Sequence, residues 1–216
     1  MSRAKYRTDI PPDHRLLLDS GQAWKELPRS FFLRETDGVA RDLIGVWFAR
    51  RHQGNWYGAR IVEAEAYLGT TDAAAHTWRG RRTPRVEPMY KEGGHLYVFL
   101  IYGMYHCANV VTQPEGIGQA VLLRAAEGPQ GAPPKLLSGP GKLCAALGVT
   151  VAFSGVDLLA GGDLRLFHRA GPSPSIGISA RIGVHYAGAA KDWPLRFYDL
   201  NSPAVSKAPQ DRATGS

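Results

Sequence analysis

Cysteine is scarce in this chain of 216 residues, which limits the kinds of site that it can hold. Its two cysteines, Cys107 and Cys144, form no CxxC motif and no Cys/His cluster, so we expect neither a disulfide framework nor a zinc site. No apolar run is long enough to span a bilayer, and the charged N-terminus MSRAKYRTDIPPDHR lacks the apolar core of a secretory signal. We therefore expect a cytoplasmic protein with no membrane partner.

Several signatures of catalytic and cofactor sites are also missing. The histidines show no HxxH or HExxH spacing and no GxSxG motif occurs, so neither a metal site nor a serine nucleophile is predicted. GPGK at 139–142 is not a phosphate-binding loop, because Leu136 occupies the required upstream glycine position and Leu143 follows Lys142. Lys142 stands near a helix start, where it either holds a DNA phosphate or is an ordinary helix residue.

Positive charge, in contrast, is in excess. Lys and Arg outnumber Asp and Glu by 26 to 19, giving a formal charge of +7 and a pI near 9.6, which suits a polyanionic partner. The Gly/Pro-interrupted stretch HTWRGRRTPR concentrates four arginines, Arg79, Arg81, Arg82 and Arg85. Two interpretations stay open for it, a solvated loop or an edge that faces phosphates.

The order of the expected elements favours an α+β fold. TDGVARDLIG predicts a short helix capped by Thr36 or Asp37 and ended by Gly45, and SGPGKLCAAL predicts a helix that stops at Gly148. Strand patterns occupy VWFARR, WYGARIVEAEAY, both sides of the YGMY corner at 102–105, AVLLRAAE and LRFY. This order predicts a mixed, largely antiparallel sheet.

We predict one folded domain over residues 31–205. Residues 1–30, which contain three prolines, are expected to form a loosely ordered lead-in, and the polar residues 206–216 a disordered tail. Residues 69–94 are expected to form a long irregular loop, which in a compact domain is usually functional.

ARIVEAEAYLG places two carboxylates on one face of a strand. Strand alternation puts Val62, Ala64, Ala66 and Leu68 on the packed face and Ile61, Glu63, Glu65 and Tyr67 on the other. That second face is either an exposed polar surface or a catalytic one. A glycosidase-like carboxylate pair is disfavoured, because such enzymes need the two groups on opposite sides of the bond.

The corner YGMY carries unusually apolar residues for a turn. Tyr102, Met104 and Tyr105 surround Gly103, where turns normally carry Asn, Asp, Gly or Ser. A hairpin buried against the core and an exposed apolar tip both remain open from the pattern alone.

Long motifs follow one another in the order found in one known family. The chain resembles the alkyladenine (3-methyladenine) DNA glycosylases over roughly residues 30–205, through IVEAEAYLG, DAAAHTWRGRRTPR, LYVFLIYGMYHCANVV, AVLLRAAEG, SGPGKLCAALGV, RIGVHYAG and PLRFY. The resemblance implies a monofunctional enzyme of base-excision repair. It would flip damaged purines such as 3-methyladenine, 7-methylguanine, hypoxanthine or ethenoadenine out of duplex DNA, hydrolyse the N-glycosidic bond and leave an abasic site. It also implies a curved sheet with flanking helices and a protruding hairpin.

Residue roles carry over by position in the matching motifs. Glu65 corresponds to the general base and Arg124 to the arginine that holds the attacking water and favours the carboxylate form of Glu65. The base pocket would use Tyr67, His76, Phe99, Asn109 and Val184. Phe99 replaces a tyrosine of the best-known members, and His185-Tyr186 departs from the glycine-histidine found in some of them. Asn109 would crowd the guanine 2-amino group.

The hairpin tip and the partners follow from the same resemblance. Tyr102 would enter the minor groove as a wedge, with Met104 and Tyr105 against neighbouring base pairs and Gly103 allowing the turn. The expected partner is duplex DNA with damaged purines, bound by a monomer in the cytoplasm (at the nucleoid) or in a nucleus, with no cofactor. No lysine is placed for a Schiff base, so no lyase activity is expected. The alternatives are a non-catalytic binder of distorted DNA and an unrelated basic hydrolase.

Overall fold

The computed structural model describes residues 12–19, 21 and 23–206. Its α-helices are α1 (Arg29–Phe32), α2 (Thr36–Asp42) and α3 (Pro140–Ala146), beside several short 3-10 helices. Its strands are β1 (Lys25–Glu26), β2 (Trp47–His52), β3 (Asn55–Tyr67), β4 (Leu96–Ile101), β5 (Tyr105–Thr112), β6 (Gln119–Glu127), β7 (Leu164–His168), β8 (Ile176–Ser179) and β9 (Arg196–Asp199). The predictions for residues 1–11 and 207–216 fall outside the described residues.

The described strands form one antiparallel sheet. Its order is β1-β7-β2-β3-β6-β5-β4, and β9 adds a branch by pairing with both β3 and β8. The sheet curls into a half-barrel with few helices, so the predicted α+β class and the single mixed domain are confirmed. Within the segment predicted as a lead-in, Leu16 and Leu27 are buried and β1 pairs with β7.

The sequence analysis did not predict three of the observed strands, β1, β7 and β8. β1 has two residues, and β7 and β8 are short, so none shows a long alternating pattern. β1 pairs with β7 and β7 with β2, which are far apart in the chain, and β8 pairs with β9, the next strand along it. In β8, Gly177 is required by close approach, since a Cβ there would lie 2.6 Å from the Tyr198 ring.

A bulge in β3 changes the predicted face assignment. The β3–β6 register shifts between Ile61 and Glu63 and again before Ala64. Ile61 therefore joins Ala64 and Ala66 in the main core, whereas Val62 packs with Ala125 in a separate cluster, the reverse of simple alternation. The exposed polar face considered for this strand is wrong as well, because Glu63 and Glu65 are fully buried.

Helices α2 and α3 pack their apolar sides onto the inner face of the sheet. The main buried cluster includes Val39, Leu43, Phe48, Ile61, Leu96, Leu123, Leu143 and Leu147. Helix α3 ends as predicted, just before Gly148 at φ +61°. The capping prediction for α2 is wrong: Glu35 stands at the N-cap position, and the buried Thr36 hydroxyl instead bonds Thr112 and Gln119 at 2.7 and 2.6 Å.

The β4–β5 hairpin extends away from this core. Its turn carries Tyr102 at φ +52° and Gly103 at φ +69°, and Met104 N–H donates to the Ile101 carbonyl at 3.2 Å. The side chains of Tyr102 and Met104 are 82% and 68% exposed. The predicted protruding hairpin is present, and the buried-hairpin interpretation of its tip is wrong.

Candidate active site

A cavity of about 470 Å³ lies between the β4–β5 hairpin and the loops that follow β3 and β8. Seven residues singled out from the sequence line it: Tyr67, His76, Phe99, Tyr102, Asn109, Arg124 and Val184. A volume of this size is in the range of small-molecule sites.

Glu65 lies directly behind the cavity wall and is itself fully buried. Three residues that line the cavity donate to its carboxylate. The Ile182 amide donates to Oε1 at 2.8 Å, and the Tyr67 hydroxyl and Arg124 Nη1 donate to Oε2 at 3.0 and 3.4 Å. The structure thus brings together Glu65 and Arg124, which the sequence separates by a long loop and two strands.

The Glu65 carboxylate belongs to a buried network of four charged groups. Glu63 accepts from Arg124 Nε at 3.1 Å and from Arg196 Nε at 2.7 Å. Ser206 adds its amide and hydroxyl to Glu63 at 2.7 and 3.0 Å. Two carboxylates and two guanidiniums balance in charge, which buried ions require.

The environment shifts the pKa values of the Glu65 and Glu63 carboxylates in opposite directions. Burial raises the pKa of Glu65, although Arg124, the Ile182 amide and the Tyr67 hydroxyl each oppose the rise. Burial alone would also raise the pKa of Glu63, but the positive charges of Arg124 and Arg196 outweigh the effect of burial and hold this pKa below its usual value. Arg124 therefore acts on Glu65 in the predicted direction, but burial is the larger influence. A base with a raised pKa accepts a proton more readily once it is ionised.

Aromatic rings form one wall of the cavity. The His76 ring meets Phe99 edge-on at 4.5 Å between centroids, and Tyr97 stacks beside Phe99 at 5.6 Å. His76 Nδ1 and the Tyr97 hydroxyl are 2.9 Å apart. Burial, with the charges of Arg85 and Arg81, lowers the pKa of His76 to about 4, and burial raises the pKa of Tyr97 to about 12. Both groups are uncharged at neutral pH.

Tyr67 faces this wall from a position fixed by a buried ion pair. The Arg181 guanidinium lies 4.8 Å from the Tyr67 ring centroid and is hydrogen-bonded to both oxygens of Asp72, one of them at 2.9 Å. Asp72 also accepts from the amides of Leu68 and Ala74, at 3.0 and 2.9 Å. The pair therefore ties the loop that carries His76 to the segment after β8.

Sequence reasoning missed the site roles of Tyr97, Asp72, Arg181 and Tyr186. Tyr186 is 71% exposed, and its hydroxyl donates to the Ala74 carbonyl at 3.4 Å, so it spans the cavity mouth between two loops. An Asp-Arg pair far apart in sequence leaves no local pattern that could have revealed it.

Asn109 and Val184 complete the lining. The Asn109 amide donates to the Tyr97 carbonyl at 3.1 Å and is held below the aromatic wall. Val184 is buried with Ala74, Ala187 and Ala190 in a small cluster beside the cavity. Both therefore have fixed positions.

The apolar tip residues differ in how they are held. Tyr102 lines the cavity mouth and points largely into solvent, as does Met104. Tyr105 is half-exposed, but its ring lies beside Gly141 near the start of α3, where an added Cβ would approach it to 3.1 Å. Tyr105 thus braces the hairpin against the helix.

The predicted phosphate-contacting side chains are all exposed, but only some are uncommitted. Arg82 forms a two-bond ion pair with Glu87, at 2.9 and 2.6 Å. Arg85 lies over the Phe99 ring at 5.7 Å, and Arg79 over Trp78 at 4.3 Å. Lys142 donates to the Lys135 carbonyl at 3.4 Å, and Arg81 is exposed on the same loop as Arg82. Arg82 is the least available of the five.

The described residues offer neither a cluster of metal ligands nor a membrane-spanning helix. Over residues 12–19, 21 and 23–206, no three His, Cys, Asp or Glu side chains are grouped so that they could hold a metal ion. Within the same part of the chain, no helix has the length and apolar character needed to cross a membrane.

Comparison with known proteins gives a consistent result. A family model described as methylpurine-DNA glycosylase matches residues 30–203. A protein of Desulfitobacterium hafniense is 43% identical over 201 residues, covering 84% of this chain and 98% of its own length. A protein of Methanocella arvoryzae is 46% identical over 199 residues, covering 86% of this chain and 98% of its own length. A protein of Bdellovibrio bacteriovorus is 43% identical over 195 residues, covering 84% of this chain and 98% of its own length. The name of each gives a provisional assignment as a 3-methyladenine DNA glycosylase.

Proposed function

The chain belongs to the methylpurine-DNA glycosylase family, and on that premise we propose that it is a monofunctional DNA glycosylase of base-excision repair. It excises damaged purines, such as 3-methyladenine, 7-methylguanine, hypoxanthine or ethenoadenine, from duplex DNA. The observation that carries the proposal is the contact of buried Glu65 with Arg124 and Tyr67 behind an aromatic cavity of about 470 Å³.

The reaction places the attacking water beside Glu65 and Arg124. The 3.4 Å contact between Arg124 Nη1 and Glu65 Oε2 is the longest that Glu65 makes, so water enters most easily there. The water oxygen bonds to C1′ as the glycosidic C–N bond breaks, its proton passes to Glu65, and the electron pair of the broken bond leaves with the base. Arg124 holds the water and stabilises the carboxylate before the proton transfer.

The neutral walls of the cavity suit alkylated purines. Alkylation at N3 or N7 gives the purine ring a positive charge, which aromatic faces attract. A protonated His76 would repel such a base, but a pKa of about 4 keeps its ring uncharged at neutral pH. Tyr67 and the His76/Phe99 wall would stack on the flipped base, and the His76 backbone amide would donate to its edge.

The hairpin and the basic loop would supply the DNA contacts. Exposed Tyr102 fills the gap left by the flipped nucleotide, and Met104 lies against a neighbouring base pair. The loop arginines and Lys142 would meet phosphates. We propose that the protein acts as a monomer on chromosomal DNA, in the cytoplasm or in a nucleus.

The second candidate is a non-catalytic binder of distorted DNA. Exposed Tyr102 and the basic loop that holds Arg79 to Arg85 would by themselves explain binding to such DNA. The buried Glu65–Arg124 contact disfavours it, because a pure binder gains nothing from a carboxylate whose burial has a free-energy cost.

Release of free base separates the two candidates. Purified protein is incubated with a duplex that carries one hypoxanthine or ethenoadenine, and free base and abasic sites are measured beside an undamaged duplex. The proposal predicts free base and a strand that breaks only after alkaline treatment. Retention of the lesion duplex without base release supports the binder, and a borohydride-trapped covalent adduct contradicts the absence of lyase activity.

A further inference from the structure

Glu63 is a buried carboxylate to which the proposed reaction assigns no step. It lies two residues before Glu65 on β3 and is fully buried. It accepts hydrogen bonds from Arg124 Nε, Arg196 Nε and both the amide and the hydroxyl of Ser206. Four donors on one buried carboxylate are more than charge pairing with Arg124 alone requires.

Arg124 is the point at which Glu63 and Glu65 meet. Its Nε donates to Glu63 at 3.1 Å, and its Nη1 reaches Glu65 at 3.4 Å. Because the guanidinium is planar and rigid, a bond at Nε fixes the direction in which Nη1 points. We propose that Glu63 is a positioning residue, which holds the guanidinium plane of Arg124 and so aims Nη1 at Glu65 and at the water beside it. The inference rests on the proposed function, because it matters only if Glu65 is the base.

Glu63 also offsets positive charge around Glu65. Arg124 faces Glu65 from β6, Arg196 is its pairing partner on β9, and Arg181 lies behind Tyr67. The remaining titratable groups that face it are the hydroxyls of Tyr67 and Tyr186. Removing the Glu63 charge leaves the three arginines opposed by fewer carboxylates near Glu65. Glu63 raises the pKa of Glu65, so its loss shifts that pKa downward.

The segment after β9 supports Glu63 from behind. The Val205 carbonyl accepts from Lys135 and Ser138, at 3.2 and 3.3 Å, which anchors the chain just before Ser206. Earlier in the segment, the Ser202 hydroxyl donates to Glu127 at 2.6 Å, away from Arg124. The same segment thus offers one serine inside the network and one outside it.

The principal test is the pH profile of single-turnover base release by wild type and Glu63→Gln, together with lesion-DNA affinity. We expect the plateau rate to fall roughly 10- to 100-fold and the acid limb to move toward lower pH, with DNA affinity unchanged. Asp199→Asn is the matched control, because Asp199 is a buried carboxylate that pairs with Arg60. Its acid limb should stay at the wild-type position. An unchanged plateau and acid limb in Glu63→Gln would overturn the inference.

A milder pair of variants serves if Glu63→Gln does not fold. Ser206→Ala removes a hydroxyl bond to Glu63 together with the 3.5 Å contact that the same hydroxyl accepts from Arg124 Nη2. Ser202→Ala removes the corresponding hydroxyl bond to Glu127. We expect slower base release only in Ser206→Ala, and equal rates in the two variants would count against Glu63. A wild type that releases no base would instead refute the proposed function itself.

Discussion

The hairpin tip offers a substitution that should move stability and DNA binding in opposite directions. Tyr102 adopts φ +52°, a left-handed conformation that costs a residue with a Cβ about 1–2 kcal/mol, while Asn tolerates it well. Tyr102 is 82% exposed, so Tyr102→Asn removes little buried apolar surface. We expect the free energy of unfolding to rise by about 1 kcal/mol and the Tm by about 2–4 °C.

The same substitution should weaken binding to lesion-containing DNA. Stacking of an aromatic side chain on a base contributes about 1–3 kcal/mol, which corresponds to a loss of about 5- to 150-fold in affinity. Stability is measured by thermal and urea unfolding, and affinity by fluorescence anisotropy with a duplex that carries an abasic-site analogue at fixed salt.

Gln53→Asn is the matched control for this prediction. Gln53 has φ +48° and precedes a glycine in the β2–β3 turn. Like Tyr102, it is therefore a residue with a Cβ in the left-handed backbone conformation at a hairpin turn. It should gain similar stability and leave DNA affinity unchanged. A large loss of stability in Tyr102→Asn would show that the ring packs against the core, and unchanged affinity would refute its role as a wedge.

Two further predictions concern the base cavity. Asn109→Ala removes the side chain that is held against the Tyr97 carbonyl. Excision of undamaged guanine should therefore rise while excision of hypoxanthine persists, as measured by base release from the two duplexes. No change in guanine excision would contradict the crowding role. The pKa of His76 is lowered from 6.5 to about 4, so the unfolded chain takes up a proton first as the pH falls, and this residue's contribution to stability is lost between about 6.5 and 4. Urea unfolding across that range should show a steeper pH dependence in wild type than in His76→Gln, and equal slopes would contradict the assigned pKa.

Local patterns were sufficient for much of the fold. Alternation and turn residues located β2, β3, β4, β5 and β6, and the glycine after α3 marked the end of that helix. The β3 bulge could not be predicted in the same way, because it depends on the register with β6, a strand far away in the chain. The short strand β7 likewise depends on pairing with a distant strand, β2.

The candidate site was predictable where its residues belong to long motifs. Glu65, Arg124, His76 and Phe99 came from such motifs. His76, Phe99 and Arg124 line one cavity, and Glu65 contacts Arg124 behind its wall. Asp72 with Arg181, and Glu63 with Ser206, form contacts between segments far apart in sequence. No local pattern encodes such pairs, since the tertiary fold alone brings them together. The burial that raises the pKa of Glu65 was hidden for the same reason.

The most direct test of the central claim is the rate of base release by Glu65→Gln. A duplex with one ethenoadenine or hypoxanthine is mixed with excess enzyme, and free base is followed in a single turnover beside a binding measurement on the same duplex. Because Glu65 is proposed as the base that activates water, the rate should fall by roughly two to four orders of magnitude while affinity is retained. Equal rates in the variant and the wild type would contradict the account.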